Sequence, residues 1–463
     1  MQKRFLTALV SGFTGIVIAA GSLLPMKADA LTFSPNTSVS SKAAILYNMD
    51  IGTVVYEKDA NRRESPAALT QIMTAVVVLE NCADISTEKI TADTSMFSQF
   101  VDYKPQSDLR YAGINAGDTL TVEDLLYAMM LTSSCEASIM LATHFGSGSE
   151  SAFVDLMNDK AAALGMTNTR FTNATGLYSA RQVSTARDLM TLLDYAMKMP
   201  RFETIACATS YTPPSAAALN KTEKWAWTHS NDMYATGTKF YCNGVRGIKT
   251  GNLEDGGRSI ACKASRDGNN YLLICLNSPM SDAKGKNYFY HQEDAKNILE
   301  WAFAHLSYQE IINTKTEFKE VKVLNAEGDD YVILKPKEDF SCIWCDTADV
   351  KNIQQIIDAP KETEAPVNVG DKLGTVTLKL AGETLAQIDL VASSAVERSF
   401  WKYNLNEMPG FFKSIFLKRT WIVALILSLL YIGLCIFFAV RFRIARNKHM
   451  AAKAARARMQ NRQ

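Results

Sequence analysis

The chain has 463 residues, of which 47% are hydrophobic and 21% charged, so it is long enough for two or three folded segments. The formal net charge is only +1, but residues 31–440 carry a balance of −9, while the last 23 residues hold eight Lys and Arg and no acidic residue. An acidic body with a basic tail argues against nucleic-acid binding, and we expect no nucleic-acid partner.

The N-terminus has the features of a secretory signal peptide. Lys3 and Arg4 precede an apolar stretch, and Ala28-Asp29-Ala30 supplies the small-x-small pattern of a cleavage site. We therefore predict a cleaved signal peptide over residues 1–30, with an uncleaved anchor as the alternative. The polar, Ser- and Thr-rich residues 31–42 are predicted to be a linker.

Residues 43–312 mix helical and strand patterns and are predicted to form one domain. Two β-type runs on either side of Asp50-Ile51-Gly52 predict a hairpin, and Pro66 opens a helical pattern that continues to about residue 79. Further patterns predict helices over 122–144, 151–164, 185–197 and 291–304. Runs with Gly-containing turns between them predict antiparallel strands over 247–250, 259–264 and 271–276.

After residue 312 the pattern changes to short β-type runs separated by Asp, Gly, Pro and Lys. These runs predict strands over 318–323, 331–334, 367–369, 374–380 and 384–390. Several short strands with turn residues between them are typical of a small all-β sandwich, which we place at residues 313–398.

Cys342 and Cys345 are the only closely spaced cysteines outside the predicted membrane span. A zinc site would need a second pair or nearby histidines, and none of the five histidines is close in sequence. A local disulfide or two free thiols is therefore favoured, and we expect no metal and no cofactor.

The C-terminal region has the features of a membrane anchor. Twenty uncharged residues run from Trp421 to Val440, which matches the length needed to cross a bilayer. The mixed aromatic and basic residues 399–420 are predicted to be a juxtamembrane segment. The basic residues 441–463 are predicted to be a cytoplasmic tail, because cations concentrate on the cytoplasmic side.

Three longer stretches carry a family resemblance. They are SPAALTQIMTAVVVLE at 65–80, DLLYAMMLTSSCEAS at 124–138 and GVRGIKTGNLEDGGRSIACKASRDG at 244–268. In their order, spacing and residue identities they resemble the low-molecular-mass penicillin-binding proteins, the serine D-alanyl-D-alanine carboxypeptidases of peptidase family S11. The resemblance implies an α+β (α/β/α) fold, a β-lactamase/DD-peptidase-like antiparallel sheet flanked by helices, with a C-terminal β domain and here a transmembrane helix.

The resemblance also identifies the positions at which this chain departs from the family's catalytic pattern. Ser-x-x-Lys places a nucleophile and its base one helical turn apart. Here Ala68 stands at the nucleophile position and Gln71 at the base position. Of the second motif, Ser-x-Asn, Ser133 is present and Cys135 replaces the asparagine.

The third motif is retained whole as Lys249-Thr250-Gly251, and together with Ser133 it is predicted to bind the substrate. The oxyanion hole would be formed by the backbone N–H groups of Ala68 and Asn252, which do not depend on side-chain identity. The resemblance therefore implies a cleft that keeps its binding groups and lacks its chemical groups.

Three hypotheses follow for a single-pass protein of the bacterial cell membrane with extracytoplasmic domains. The preferred one is an inactive peptidoglycan-binding or regulatory pseudoenzyme. It would bind stem peptides ending in D-Ala, β-lactams without a covalent bond, or a wall enzyme. The second is an active carboxypeptidase that uses Ser133 or Cys135, and the third is a structural or interaction protein with a vestigial cleft.

Overall fold

The computed structural model describes residues 32–405 and 415–460, so the predicted signal peptide lies outside the described residues. The chain forms two compact units. The first comprises the described residues up to Ile311 together with 340–354 and 378–386, and the second comprises 312–339, 355–377 and the described residues from 387 onwards. The domain limits drawn at residues 312 and 398 remain predictions.

The strands, in chain order, are β1 (Ala43–Asn48), β2 (Thr53–Lys58), β3 (Lys89–Thr91), β4 (Thr119–Thr121), β5 (Ser210–Tyr211), β6 (Trp227–Thr228), β7 (Val245–Leu253), β8 (Gly257–Arg266), β9 (Asn269–Ser278), β10 (Leu306–Ile312), β11 (Lys319–Leu324), β12 (Tyr331–Pro336), β13 (Phe340–Cys345), β14 (Gln354–Asp358), β15 (Glu362–Glu364), β16 (Lys372–Leu380) and β17 (Glu383–Ala392).

The α-helices are α1 (Thr70–Asn81), α2 (Thr94–Phe97), α3 (Val122–Thr132), α4 (Cys135–Phe145), α5 (Glu150–Ala163), α6 (Ala186–Met197), α7 (Phe202–Ala206), α8 (Tyr290–His305) and α9 (Ile415–Gln460), and a short 3-10 helix over Ala67–Leu69 leads into α1.

The first unit is built around a five-stranded antiparallel sheet with the order β2-β1-β9-β8-β7. Alternate residues of β9 enter two different cores: Leu272 and Ile274 pack with α1, α3, α4 and α6, while Leu273 and Cys275 pack with α8. Because successive strand residues point to opposite faces, an apolar run such as this requires cover on both faces. This arrangement confirms the predicted helix–sheet–helix layering.

The helix predicted over 122–144 is wrong, because the structure has two helices there. α3 ends at Thr132, Ser133 takes a left-handed φ of 63°, and α4 begins at Cys135. The Ser134 hydroxyl accepts a hydrogen bond from the Ala137 N–H at 3.0 Å, which caps α4. Serine favours such caps over helix interiors, because its hydroxyl competes for backbone groups.

The C-terminal region is all-β, as predicted, but its strands differ in part. A six-stranded sheet has the order β14-β16-β17-β12-β11-β15, and β10 pairs with β13. The predicted strand at 367–369 is wrong, because only an isolated bridge joins Val367 to Val396. The missed β14 and β15 are the edges of the sheet, where polar, exposed residues give no alternating apolar signal.

Cys342 and Cys345 lie in one strand, β13, and each carries a free thiol. Residues three apart in a strand are about 10 Å apart, whereas a disulfide requires Cα atoms within about 7 Å. The choice that the sequence left open, between a local disulfide and two thiols, is therefore decided in favour of thiols.

The C-terminal helix α9 is 46 residues long. Within the described part of the chain it is the helix whose length and composition would allow it to cross a membrane, and its side chains are exposed from Lys418 to Arg456. A helix of this length extends about 70 Å, more than twice the roughly 30 Å of a hydrocarbon core. Residues 406–414 of the predicted juxtamembrane segment 399–420 lie outside the described residues.

Candidate functional site

A small cleft of about 80 Å³ lies where the start of the first core helix meets the edge strand β7. Its walls include Ala68, Ser133, Cys135, Thr250 and Asn252, so five of the predicted site positions meet there. The other three, at positions 71, 249 and 251, are buried behind these walls.

The backbone around Ala68 is held in an unusual turn. Ala67 has a φ of 48°, a left-handed conformation that disfavours any residue with a Cβ. Gly176 and Gly251 leave room for this turn: a Cβ on Gly176 would collide with the Ala67 carbonyl, and one on Gly251 would lie 3.2 Å from the Ala68 nitrogen. The close approach of β7 brings Ala68 and Asn252 onto the same cleft wall.

Gln71 lies three residues beyond Ala68 and is fully buried. Its Nε2 donates to the Ser138 hydroxyl at 3.0 Å, the Thr175 carbonyl at 3.1 Å and the Ser133 carbonyl at 3.3 Å. Its Oε1 is buried and has no hydrogen-bond partner among the described residues. The amide thus ties three segments together, but a neutral amide does not accept a proton at neutral pH.

Lys249 is fully buried and is directed toward Ser133 rather than open solvent. Its Nζ donates to the Ser133 Oγ at 2.5 Å and to the Met130 carbonyl at 3.1 Å. Burial lowers the pKa of Lys249 to about 7, because the charged form loses hydration. The left-handed backbone of Ser133 presents its hydroxyl to both the ammonium group and the cleft.

Cys135 lines the cleft at the first residue of α4, but only 3% of it is exposed. Burial raises the pKa of its thiol to about 12, so the reactive thiolate is scarce at neutral pH. A thiol of this kind is a small space-filling group and a poor candidate for a nucleophile.

The structure adds residues that sequence reasoning missed. The Ser230 hydroxyl lies 2.6 Å from the Thr250 hydroxyl, and both line the cleft. Asp108 and Arg110 also line it, from the segment that precedes α3. No short motif marks these residues, and they reach the cleft only through tertiary folding.

Comparison with known proteins agrees with this geometry. Residues 29–280 match the D-alanyl-D-alanine carboxypeptidase family, peptidase S11, and residues 307–398 match the C-terminal domain of penicillin-binding protein 5. The D-alanyl-D-alanine carboxypeptidase DacF of Bacillus subtilis (strain 168) is 28% identical over 420 residues, which cover 90% of this chain and 98% of that protein. The D-alanyl-D-alanine carboxypeptidase of Streptomyces sp. (strain K15) is 30% identical over 297 residues, 63% of this chain and 96% of that protein.

A solved structure supports the same fold. The D-alanyl-D-alanine carboxypeptidase DacD from Francisella tularensis superposes with a TM-score of 0.58 at 21% identity, covering 79% of this chain and 96% of its own. The family match extends over more than half of the sequence, and the fold agrees with it. The chain therefore belongs to the S11 family of D-alanyl-D-alanine carboxypeptidases, the low-molecular-mass penicillin-binding proteins.

Proposed function

We propose that this chain is a catalytically inactive member of its family that binds peptidoglycan stem peptides ending in D-Ala, or that regulates another wall enzyme. The observation that carries the proposal is a methyl group at position 68 and a neutral amide at position 71 in a cleft that keeps the Lys-Thr-Gly motif and Ser133. A methyl group has no lone pair with which to form an acyl-enzyme.

The magnitudes support loss of turnover. Removing the serine of a comparable hydrolase costs on the order of 10⁶ in rate. A site that keeps only binding groups and an oxyanion hole retains roughly 10³–10⁴ over the uncatalysed reaction. In this chain the oxyanion hole would be formed by the backbone N–H groups of Ala68 and Asn252.

Binding groups are less affected than chemical groups. Thr250 and Ser230 present two hydroxyls to the cleft, and Gly251 keeps β7 close to Ala68. In this proposal they bind the terminal carboxylate of a peptide, and Lys249 adds its charge from behind the wall. The same groups would hold a β-lactam without a covalent bond.

The proposed location is a single-pass position in the bacterial cell membrane. The apolar segment from Trp421 to Val440 lies within α9 and would span the bilayer. Eight Lys and Arg follow this segment, so the tail would be cytoplasmic and the folded units extracytoplasmic. This orientation would place the cleft on the side where peptidoglycan is found.

One observation favours an active enzyme as the second candidate. The Ser133 hydroxyl lies 2.5 Å from Lys249 Nζ, and the lowered pKa of that lysine, about 7, would suit a general base. Ser133 would then be the nucleophile in place of residue 68. Cys135 has no comparable support, because burial raises its thiol pKa.

Titration calorimetry of the full-length protein with a stem peptide ending in D-Ala-D-Ala, coupled to an assay for free D-Ala, separates the hypotheses. The proposal expects binding without release of D-Ala, and weaker binding by Thr250→Ala. Release of D-Ala that is lost in Ser133→Ala would establish the second candidate. The absence of any binding would leave a structural protein with a vestigial cleft.

A further inference from the structure

The charge that lines the cleft does not come from the retained Lys-Thr-Gly motif. Lys249 is fully buried, and its Nζ already donates to Met130 and Ser133. Among the described residues that line the cleft, Arg110 alone carries a guanidinium or ammonium group. A guanidinium remains charged at physiological pH and can bind a carboxylate through two parallel hydrogen bonds.

The Arg110 side chain has donors to spare. Its Nη1 donates to the backbone carbonyls of Ser107 at 2.6 Å and Leu109 at 2.9 Å. The described residues provide no acceptor for its Nε or Nη2. The neighbouring Asp108 carboxylate also lines the cleft and accepts from the Glu254 N–H at 2.9 Å; burial raises its pKa, and the positive charge of Arg110 acts in the opposite direction.

The backbone that carries Arg110 is fixed in place. The Arg110 carbonyl accepts from the Cys135 N–H at 2.8 Å, at the first residue of α4. Ala112 lies two residues after Arg110, and its N–H donates to the buried Glu136 carboxylate at 3.0 Å. The guanidinium therefore stands on a segment tied to α4, whereas the hydroxyls proposed for the terminal carboxylate belong to β7 and the segment before it.

We propose that Arg110 forms a second carboxylate subsite, which selects stem peptides that carry an acidic group upstream of their terminal D-Ala pair. This inference rests on the proposed function, because it assumes that the cleft binds peptides. In an extended ligand each residue advances about 3.4 Å, so the side chain just before the D-Ala pair is the nearest that can reach a separate subsite.

Two peptides that differ by one carboxylate test the subsite. One has lysine before the D-Ala-D-Ala terminus, and the other has meso-diaminopimelate, which is lysine with a carboxylate on its ε-carbon. Calorimetry on the full-length protein should show about tenfold tighter binding of the diaminopimelate peptide, the effect of one charge-assisted contact. The body of the protein is acidic, with a balance of −9, so its long-range field would oppose this preference.

Variants of Arg110 test whether its positive charge causes the preference for the diaminopimelate peptide. Arg110→Gln should bind both peptides equally, and Arg110→Lys should keep most of the preference, because it keeps a cation at the site. Arg246→Gln is the matched control, since Arg246 is an exposed arginine on β7 outside the cleft, and it should leave the preference unchanged.

The possible outcomes distinguish this inference from the proposed function. Equal binding of both peptides by the wild-type protein, or a preference that survives Arg110→Gln, would overturn the subsite. Loss of the preference in both Arg110 variants would also overturn it, since a disturbed loop rather than charge would then be the cause. Failure of the wild-type protein to bind either peptide would overturn peptide binding in the proposed function, and the subsite with it.

Discussion

Lys249 is the residue at which burial and chemistry oppose each other most directly. Its ammonium group donates to Met130 and Ser133, and burial together with the lysine charge lowers the pKa of the buried His229 to about 4. The folded-state pKa of Lys249 is about 7, below its ordinary value of 10.5. Between these two values the unfolded chain holds a proton that the folded chain has released.

The sign of the pH dependence follows from this difference. Stability rises with pH wherever the unfolded state binds more protons, so the contribution of Lys249 increases from about pH 7 upward. Below that pH both states are protonated and the full cost of burying the charge remains. Lys249→Met removes the titrating group, so the gain in unfolding free energy between about pH 6 and about pH 9 should be smaller in the variant. Urea unfolding at several pH values measures this, and parallel profiles for the two proteins would refute it.

Gln71 provides a second test at a single residue. Gln71→Leu removes the donor shared by Ser133, Ser138 and Thr175, and should lower the free energy of unfolding by about 1–3 kcal/mol. Gln106→Leu is the control, because Gln106 likewise donates to three acceptors, all backbone carbonyls, but is exposed, so water can replace it. Equal losses in urea unfolding would mean that burial is not what makes the Gln71 contacts important.

At the scale of elements, the break between α3 and α4 positions the cleft. It places Ser133 and Cys135 at the cleft and turns α4 so that its first residue meets Arg110. Ser134→Ala removes the cap of α4 and the hydrogen bond from the Ser134 hydroxyl to the buried Glu136 carboxylate, and should cost about 1–3 kcal/mol. The cap of α5 is a matched control: Ser149 accepts from the Ala152 N–H at 3.5 Å in an exposed setting, so Ser149→Ala should cost less. Thermal or urea unfolding compares the two, and a larger loss in Ser149→Ala would contradict this role for the break.

The break between α3 and α4 also shows how much of the fold could be predicted from the sequence. The hairpin and the central strands were predictable as short apolar runs between turn residues, and α6 because its apolar spacing matches its one buried face. The α3–α4 region is apolar on nearly every side, so no periodicity marks its interruption. Only the preference of Ser133 and Ser134 for caps could have indicated the interruption.

The positions of the motif residues in the cleft were predictable from the sequence, but the roles of Lys249 and Arg110 were not. The resemblance to the family motifs located Ala68, Ser133 and Thr250, which do meet in the cleft. It could not show that Lys249 is sealed behind the wall, which depends on contacts with the distant Met130 and Ser133. Nor could it show that Arg110 lines the cleft, which depends on the backbone contact between Arg110 and α4.

At the scale of the whole molecule, the proposed membrane location depends on α9. Ending the chain before Ile415 removes the candidate span and should move the protein from the membrane pellet to the aqueous fraction. Cell fractionation with immunodetection measures this, and the full-length chain is the control. Retention of the shortened protein in the pellet, resistant to a high-salt wash, would show that another segment anchors it.

The measurement that bears most directly on the proposed loss of catalysis is covalent labelling with a fluorescent penicillin. The wild-type protein should give no labelled band after denaturing electrophoresis, because residue 68 has no atom to acylate. A double variant, Ala68→Ser with Gln71→Lys, should give one, because it restores a nucleophile and its base to a cleft whose backbone is already in place. A labelled wild-type band that disappears in Ser133→Ala would contradict the account.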